Sequence, residues 1–581
     1  MSGLSEDDFL KIKNTLKLND LEYKSFNKKS LIKNSLSFEE MRKVRSLRID
    51  RLELEKTYKR HYPLGEQVAP LVGFSGRDGY GLEGLEKSYN SILTGKPLKE
   101  RVLRDGARST IQRLEVLEFG ENSKDIYLTI DSNIQYIAYK YLVEAIKNND
   151  GTGGTVIILD NSAKEVLALA SYPSYNPNNP MRSIKKNRAF LESYEPGSIV
   201  KPLALAGAIE KDLIDIDTEL ELPIKIEVDG NIINDRKKYG QLKAYEIIKE
   251  SSQVGATQIS FLLGAERLID NYKKFGFSKP VNINFPSTSF GEINSRDEIS
   301  DIEIATLGYG YGLTATPFQI SQAYAIFANK GTYYDFNIIK NNESQIFSEQ
   351  IISESTANDI LFSMRKVVED GTGALAKLEN FDVSGKTGTT EKLRDGNYKS
   401  STYTASFIGI GPNPSNELTI FVNIDGLGSQ KYSGGSVAAP LFKKISNDVF
   451  SYMGTYYDFN IIKNNESQIF SEQIISESTA NDILFSMRKV VEDGTGALAK
   501  LENFDVSGKT GTTEKLRDGN YKSSTYTASF IGIGPNPSNE LTIFVNIDGL
   551  GSQKYSGGSV AAPLFKKISN DVFSYMGYFN K

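Results

Sequence analysis

Glu195-Pro196-Gly197-Ser198-Ile199-Val200-Lys201-Pro202 opens an apolar stretch that runs on to Glu210. Glu195 to Gly197 spell a turn, and the residues from Ile199 onward read as a buried helix, so Ser198 falls at a helix start. Pro202 agrees with that placement. In a first turn its missing amide had no intrahelical partner, whereas deeper in the helix it would break it. The three-residue spacing then sets the Lys201 amine on the same face as the Ser198 hydroxyl. If the ammonium is desolvated its pKa falls toward the working pH, as a general base requires. Alone, the tetrad reads equally as a capping serine and a surface lysine, because Ser25 with Lys28, Ser30 with Lys33 and Ser183 with Lys186 share its spacing.

Composition narrows the chemistry around that serine. The chain has 581 residues, too many for one core, and the usual domain size implies roughly three to five compact units. Its net charge of −5, from 68 basic and 73 acidic residues, does not describe a nucleic-acid binder. With no cysteine, disulfides, thiolate ligands and a cysteine nucleophile are excluded. The single histidine, His61, would have to carry any imidazole-based triad or zinc site alone. No apolar run reaches membrane-spanning length, and Met1 to Lys11 is polar and acidic, so neither a span nor a signal peptide is read here.

Residues 332–454 recur unchanged at 455–577, leaving a short tail at 578–581. A period of this length is far beyond solenoid repeats, and identity at every position implies a very recent tandem duplication or an assembly error. Before the repeat, residues 1 to about 60 suit short surface helices. Asp131 or Ser132 is placed to cap a helix whose face carries Ile134, Ile137, Ala138, Tyr141, Leu142, Ala145 and Ile146. Thr155 to Leu159 and Glu165 to Leu169, joined by a polar turn, form a hairpin signal. Strands follow at Tyr403 to Ile410 and Leu418 to Ile424, then a last helix from Val437 to Met453. Strands bracketing a helical middle predict an α+β fold, an antiparallel sheet with helices packed on its faces.

Two further strings complete a pattern: Ser251-Ser252-Gln253 before the apolar helix Ala256 to Leu263, and Lys386-Thr387-Gly388-Thr389 leading to the Tyr403 strand. Separately they read as a cap and a loop. In this order, behind a Glu-Pro-Gly-Ser-x-x-Lys-Pro box, they resemble the signature of the penicillin-binding proteins and serine β-lactamases. Similar matches extend through Ser174 to Asn179, Gly308 to Pro317 and Tyr432 to Pro440. Arg60 to Pro63 and Gly81 to Gly95 are similar to the end of the noncatalytic pedestal of class B members. The resemblance runs from about residue 45 to 454 and is greatest to the cell-division transpeptidases of proteobacteria.

That resemblance implies a multidomain chain. Residues 1–125 would be a partial pedestal of the dimerisation type, 126–454 a transpeptidase domain on an antiparallel five-stranded sheet, and 455–577 a surplus half-domain. It implies a peptidoglycan D,D-transpeptidase that joins stem peptides through a serine acyl-enzyme in septal wall synthesis. Ser198 would be the nucleophile, Lys201 its base and Ser251 a proton relay to the leaving amine. Lys386, Thr387, Gly388 and Gln253 would bind the donor peptide, with the amides of Ser198 and Thr389 as the oxyanion hole. Gly388 would leave room for an extended peptide along the strand edge. No metal or cofactor is called for. The implied partners are stem peptides ending in D-Ala-D-Ala, β-lactams as covalent inhibitors, and membrane proteins of the division complex, but no nucleic acid. The implied location is the periplasmic face of the inner membrane.

Two departures stand out. The family's triplet ends in asparagine, whereas Gln253 carries its amide one methylene further. Relatives also begin with a cytoplasmic tail, one membrane helix and an Arg-Gly box, which are not read here, so a truncated or mis-started gene is expected. The repeat supplies a second Lys509-Thr510-Gly511-Thr512 but no second Ser198, Lys201 or Ser251. Loop closure grows with the logarithm of length, so an insertion this long disfavours the second copy by about 1 kcal/mol. Synthesis order also favours Lys386. The losing copy would expose apolar faces and an unpaired edge, which predicts poor solubility or a swapped dimer. The rival readings are a serine β-lactamase and an inactive scaffold or nonfunctional gene product. A β-lactamase would need a second base, and the nearest string, Glu266 to Asn271, lacks the spacing and reads as a helix surface.

Overall fold

The computed structural model describes residues 5–18, 32–33, 36–49, 52, 54, 60–76, 78–106, 110–180, 186–294, 298–340, 347–392, 401–464, 476–514, 525–536, 541–551 and 553–575. The decoy serines Ser25, Ser30 and Ser183, and the tail 578–581, lie outside these residues. The chain divides into two compact units, Met1–Asp458 and Phe459–Lys581.

In the first unit the hairpin signal becomes β1 (Gly153–Asp160) and β2 (Glu165–Tyr172). The repeat adds β3 (Ser384–Glu391), β4 (Tyr403–Gly411) and β5 (Leu418–Leu427). They form one five-stranded sheet in the order β3-β4-β5-β1-β2, with every neighbouring pair antiparallel. Side chains alternate across it, as strand geometry requires. Ile157, Leu159, Leu169, Ile408, Ile410 and Phe421 belong to one core, whereas Val156, Ile158, Phe407, Ile420 and Val422 belong to the other.

Helices cover both faces. On the second face lies α1 (Ser132–Asn148), which starts where Asp131 accepts bonds from the amides of Asn133 and Ile134, and buries Ile134, Ala138, Leu142 and Ile146. On the first lie α2 (Lys201–Glu210), α3 (Gln253–Leu263), α4 (Pro317–Ala328) and α5 (Glu354–Glu369), contributing Leu203, Ile259, Phe318 and Ile360 to its core. The last helix, α6 (Ala439–Asn464), follows a short π-turn at Gly434–Ala438 and buries Leu441, Phe442 and Ile445 on the second face. It runs past the expected end at Met453, through the junction between the two copies.

Toward the amino terminus, helices Glu6–Leu16 and Phe38–Ser46 share a small cluster of Phe9, Ile12, Leu16 and Val44. A hairpin pairs Lys99–Arg104 with Thr110–Glu118, with Ile111 and Leu114 exposed. The second unit holds a three-stranded sheet of β6 (Ser507–Glu514), β7 (Tyr526–Gly534) and β8 (Leu541–Leu550). Its own core includes Ala528, Phe530, Val545, Phe565 and Phe573.

Candidate active site

The turn before α2 is held from two directions. Tyr194 and Ala315 exchange both main-chain bonds, at 3.1 and 3.0 Å, and the Gly197 amide donates to the Gly310 carbonyl at 3.0 Å. Gly197 has φ +59°, a left-handed conformation that glycine adopts without strain. Residues Gly197–Val200 then make a 3₁₀ turn, and Pro202 sits in the first turn of α2. Ser198 is thus one step ahead of the α-helix proper and half-buried. Lys201 begins the helix and is buried, its Nζ donating to the Ser251 carbonyl at 2.6 Å and to the Ser251 hydroxyl at 3.3 Å. Loss of hydration lowers the Lys201 pKa to about 7; the nearby Asp235 charge opposes that shift and Arg236 adds to it.

Ser251 occupies the left-handed C-cap of helix Ala244–Glu250, with φ +57°. A non-glycine residue is costly there, and such strain gathers at functional sites. Ser252 caps α3 by accepting from the Gly255 amide at 2.8 Å. Asp235 locks this corner: it accepts from the Ser252 hydroxyl at 2.5 Å and from the Gln253 amide at 2.6 Å. Sequence reasoning missed Asp235. It follows strand Asn231–Asn234, 17 residues before Ser252, and no local pattern ties it to α3.

Lys386 reaches Ser251 from the opposite side. It is fully buried on β3, with Nζ donating to the Ser251 hydroxyl at 3.0 Å and to the Thr387 carbonyl at 3.1 Å. Burial holds its pKa well below the ordinary lysine value, and the charges of Lys201 and Arg236 push the same way. The Ser251 oxygen therefore accepts from two lysines, which leaves its own proton to be donated elsewhere. The Thr387 hydroxyl is 3.0 Å from that of Thr372.

β3 is the sheet's edge strand and lies against the Ser198 turn. Thr390 donates to the Glu195 carbonyl at 2.9 Å, and the Thr389 hydroxyl accepts from the Gly434 amide at 2.9 Å. A β-carbon on Gly388 would stand 2.8 Å from Ile199 Cγ1 and 3.2 Å from the Pro196 carbonyl oxygen. The glycine thus also gives the Ser198 turn room to seat against the strand.

Of the residues singled out in the sequence, Ser198, Lys201, Ser251, Lys386, Thr387, Gly388 and Thr389 converge here. Gln253 differs: its main-chain amide is held by Asp235, and its side chain makes no hydrogen bond among the described residues. Lys509 lies in the second unit, exposed, with Nζ on its neighbour's carbonyl, Thr510, at 2.9 Å. Lys386 is therefore the copy beside Ser251. The reading of Glu266 to Asn271 as helix surface holds for exposed Glu266 but not for Asn271, which is buried and donates to the Leu203 carbonyl at 2.8 Å. It braces α2 from behind.

Residues 154–447 match the family described as penicillin binding protein transpeptidase domain, and residues 448–570 match it again. A probable peptidoglycan D,D-transpeptidase PenA from Neisseria gonorrhoeae is 34% identical, covering 73% of this chain and 74% of that protein. Peptidoglycan D,D-transpeptidase FtsI from Escherichia coli strain K12 is 31% identical, covering 71% and 70%. Among solved structures, the TP domain of Burkholderia pseudomallei penicillin-binding protein 3 matches with a TM-score of 0.52 at 30% identity, covering 57% of this chain and 98% of its own. A Ser-x-x-Lys turn seated against a Lys-Thr-Gly edge strand, together with these likenesses, places the chain in the class B penicillin-binding proteins, among the FtsI-like transpeptidases.

Proposed function

We propose that this protein is a peptidoglycan D,D-transpeptidase that cross-links stem peptides ending in D-Ala-D-Ala through an acyl-enzyme on Ser198. The observation that carries this reading is the burial of the Lys201 amine against Ser251, where loss of hydration lowers its pKa to about 7.

The donor peptide adds along the free edge of β3, with its terminal carboxylate at Lys386 and Thr387. The Ser198 oxygen attacks the carbonyl of the penultimate D-Ala while Lys201 takes the hydroxyl proton. The amides of Ser198 and Thr389 stabilise the oxyanion. As the C–N bond breaks, Ser251 donates its proton to the departing D-Ala amine and is resupplied by Lys201. An acceptor amine then attacks the ester, its proton returning by the same path to Ser198. These steps need no metal or cofactor. A β-lactam follows the first half of this path and stops at the acyl-enzyme.

The FtsI likeness supports a septal role, with residues 1–125 as pedestal, the catalytic domain on the periplasmic side of the inner membrane, and membrane proteins of the division complex as partners. Among the described residues no helix is long and apolar enough to cross a membrane.

Incubating the full chain with a fluorescent penicillin tests the reading. A long-lived adduct on the peptide containing Ser198, abolished by Ser198→Ala, is expected. Rapid release of hydrolysed drug would instead indicate a β-lactamase, and a folded chain that never labels would indicate an inactive scaffold.

A further inference from the structure

Residues 455–577 keep, in their own unit, much of the structure that residues 332–454 adopt in the first. The registers repeat: Ser507 faces Ile533 as Ser384 faces Ile410, and Phe530 faces Val545 as Phe407 faces Val422. Side chains that pack within the half-domain are buried in both copies, Phe442 like Phe565 and Phe407 like Phe530. The copies differ on the face that residues 126–331 cover. Ile408 and Phe421 are both 0% exposed, whereas Ile531 and Phe544 are 38% and 62% exposed. The second copy is a preassembled half-domain presenting the face that α4 meets in the first.

The ends of the repeat also suit substitution. Near its start, Ile339 pairs with Leu128 and Ile338 accepts from the Thr129 amide at 3.0 Å. Near its end, the Tyr452 hydroxyl donates to Asp131 and accepts from Asn133, each at 3.1 Å. Both ends therefore meet the same short segment, Leu128 to Asn133. A folded insert with adjacent ends can be looped out without a long span. At the junction stands Gly454, a weak helix former inside α6, where the helix can open.

We infer that residues 126–331 accept either copy, so that a minority of molecules carry Lys509, Thr510 and Gly511 at Ser251 in place of Lys386, Thr387 and Gly388. This rests on the transpeptidase reading above. Each chain has one receiving face, so the two forms exclude each other and each builds one active site. Their interfaces are identical residue for residue, and only loop closure and the opening of α6 separate them. Because closure depends on the logarithm of length, its cost stays small, and with the opening of α6 added the minor form amounts to about one molecule in a hundred to one in ten.

Labelling kinetics with fluorescent penicillin on the full chain test this. The unsubstituted chain comes first: if it forms no adduct, the transpeptidase reading fails before the exchange is at issue. Given labelling, Lys386→Ala should keep a phase at the unsubstituted rate with roughly 1–10% of its amplitude, and Lys386→Ala with Lys509→Ala should lack it. Identical kinetics in the two variants would overturn the inference. Phe421→Glu blocks docking of the first copy alone; it should still label at the unsubstituted rate, and adding Phe544→Glu should end labelling. Loss of labelling with Phe421→Glu alone would also overturn it. The fast phase should appear in the monomer fraction from size exclusion. Its confinement to a dimer would mean that the second copy docks on another chain, against exchange within one.

Discussion

Lys201 and Lys386 share one hydroxyl acceptor in a dry corner, and such an arrangement tolerates little positive charge. Burial lowers both, and for Lys201 the midpoint falls at about 7. With Lys201 as the proposed base, acylation requires the neutral amine, so the rate rises as the proton leaves. The penicillin acylation rate should fall about tenfold per pH unit below 7 and level off above it; a profile flat down to pH 5 would remove Lys201 as the base. Gln253 invites the opposite change. Its side chain is unbonded among the described residues, and misplacement of a positioning group is costly, so Gln253→Asn should raise the acylation rate on the order of tenfold. An unchanged or slower rate would show that the longer amide is already suited to its place. Asp235→Ala removes the acceptor for the Ser252 hydroxyl and the Gln253 amide. It should cost about 1 kcal/mol in a denaturant titration, as lost helix caps do, and slow acylation as well.

The elements were legible where the signal is local. Pro202 sets the start of α2, Asp131 caps α1, and alternation marks β1 and β2. Contacts made across long separations left no such mark. Asp235 acts on a helix it does not adjoin, and Gly388 answers to Ile199 on another element. Local pattern also misleads at the copy junction. Thr332–Tyr334 is a strand paired with Ser348–Gln350, while the identical residues from Thr455 continue α6 as helix. Tertiary context overrides propensity there, since Phe336 and Ile338 are buried in the first copy's place. At Gly388, substitution should separate the two elements it joins: Gly388→Ala should destabilise by about 1–3 kcal/mol through overpacking against Ile199. It should slow acylation as well, and an unchanged melting temperature and rate would contradict the close seating of β3.

For the whole molecule, the arithmetic of halves is unequal: one segment 126–331 serves two copies of its complement. A closed oligomer multiplies both numbers and leaves the surplus unchanged, so the swapped dimer expected from the sequence would not relieve it. The excess face, with Ile531 38% and Phe544 62% exposed, is a liability for association. Deleting residues 455–577 should raise the yield of monodisperse protein in light scattering; a less soluble product would mean that the second copy protects the chain.

The exposed Phe544 and the hidden Phe421 sit in peptides of one mass, because their surroundings are the same letter for letter. Mass spectrometry after digestion therefore merges a shielded and a bare population into one signal, and deuterium uptake there should be bimodal in a fully native sample. The peptide bearing Ser198 occurs once, which makes it the fragment whose occupancy counts molecules one for one.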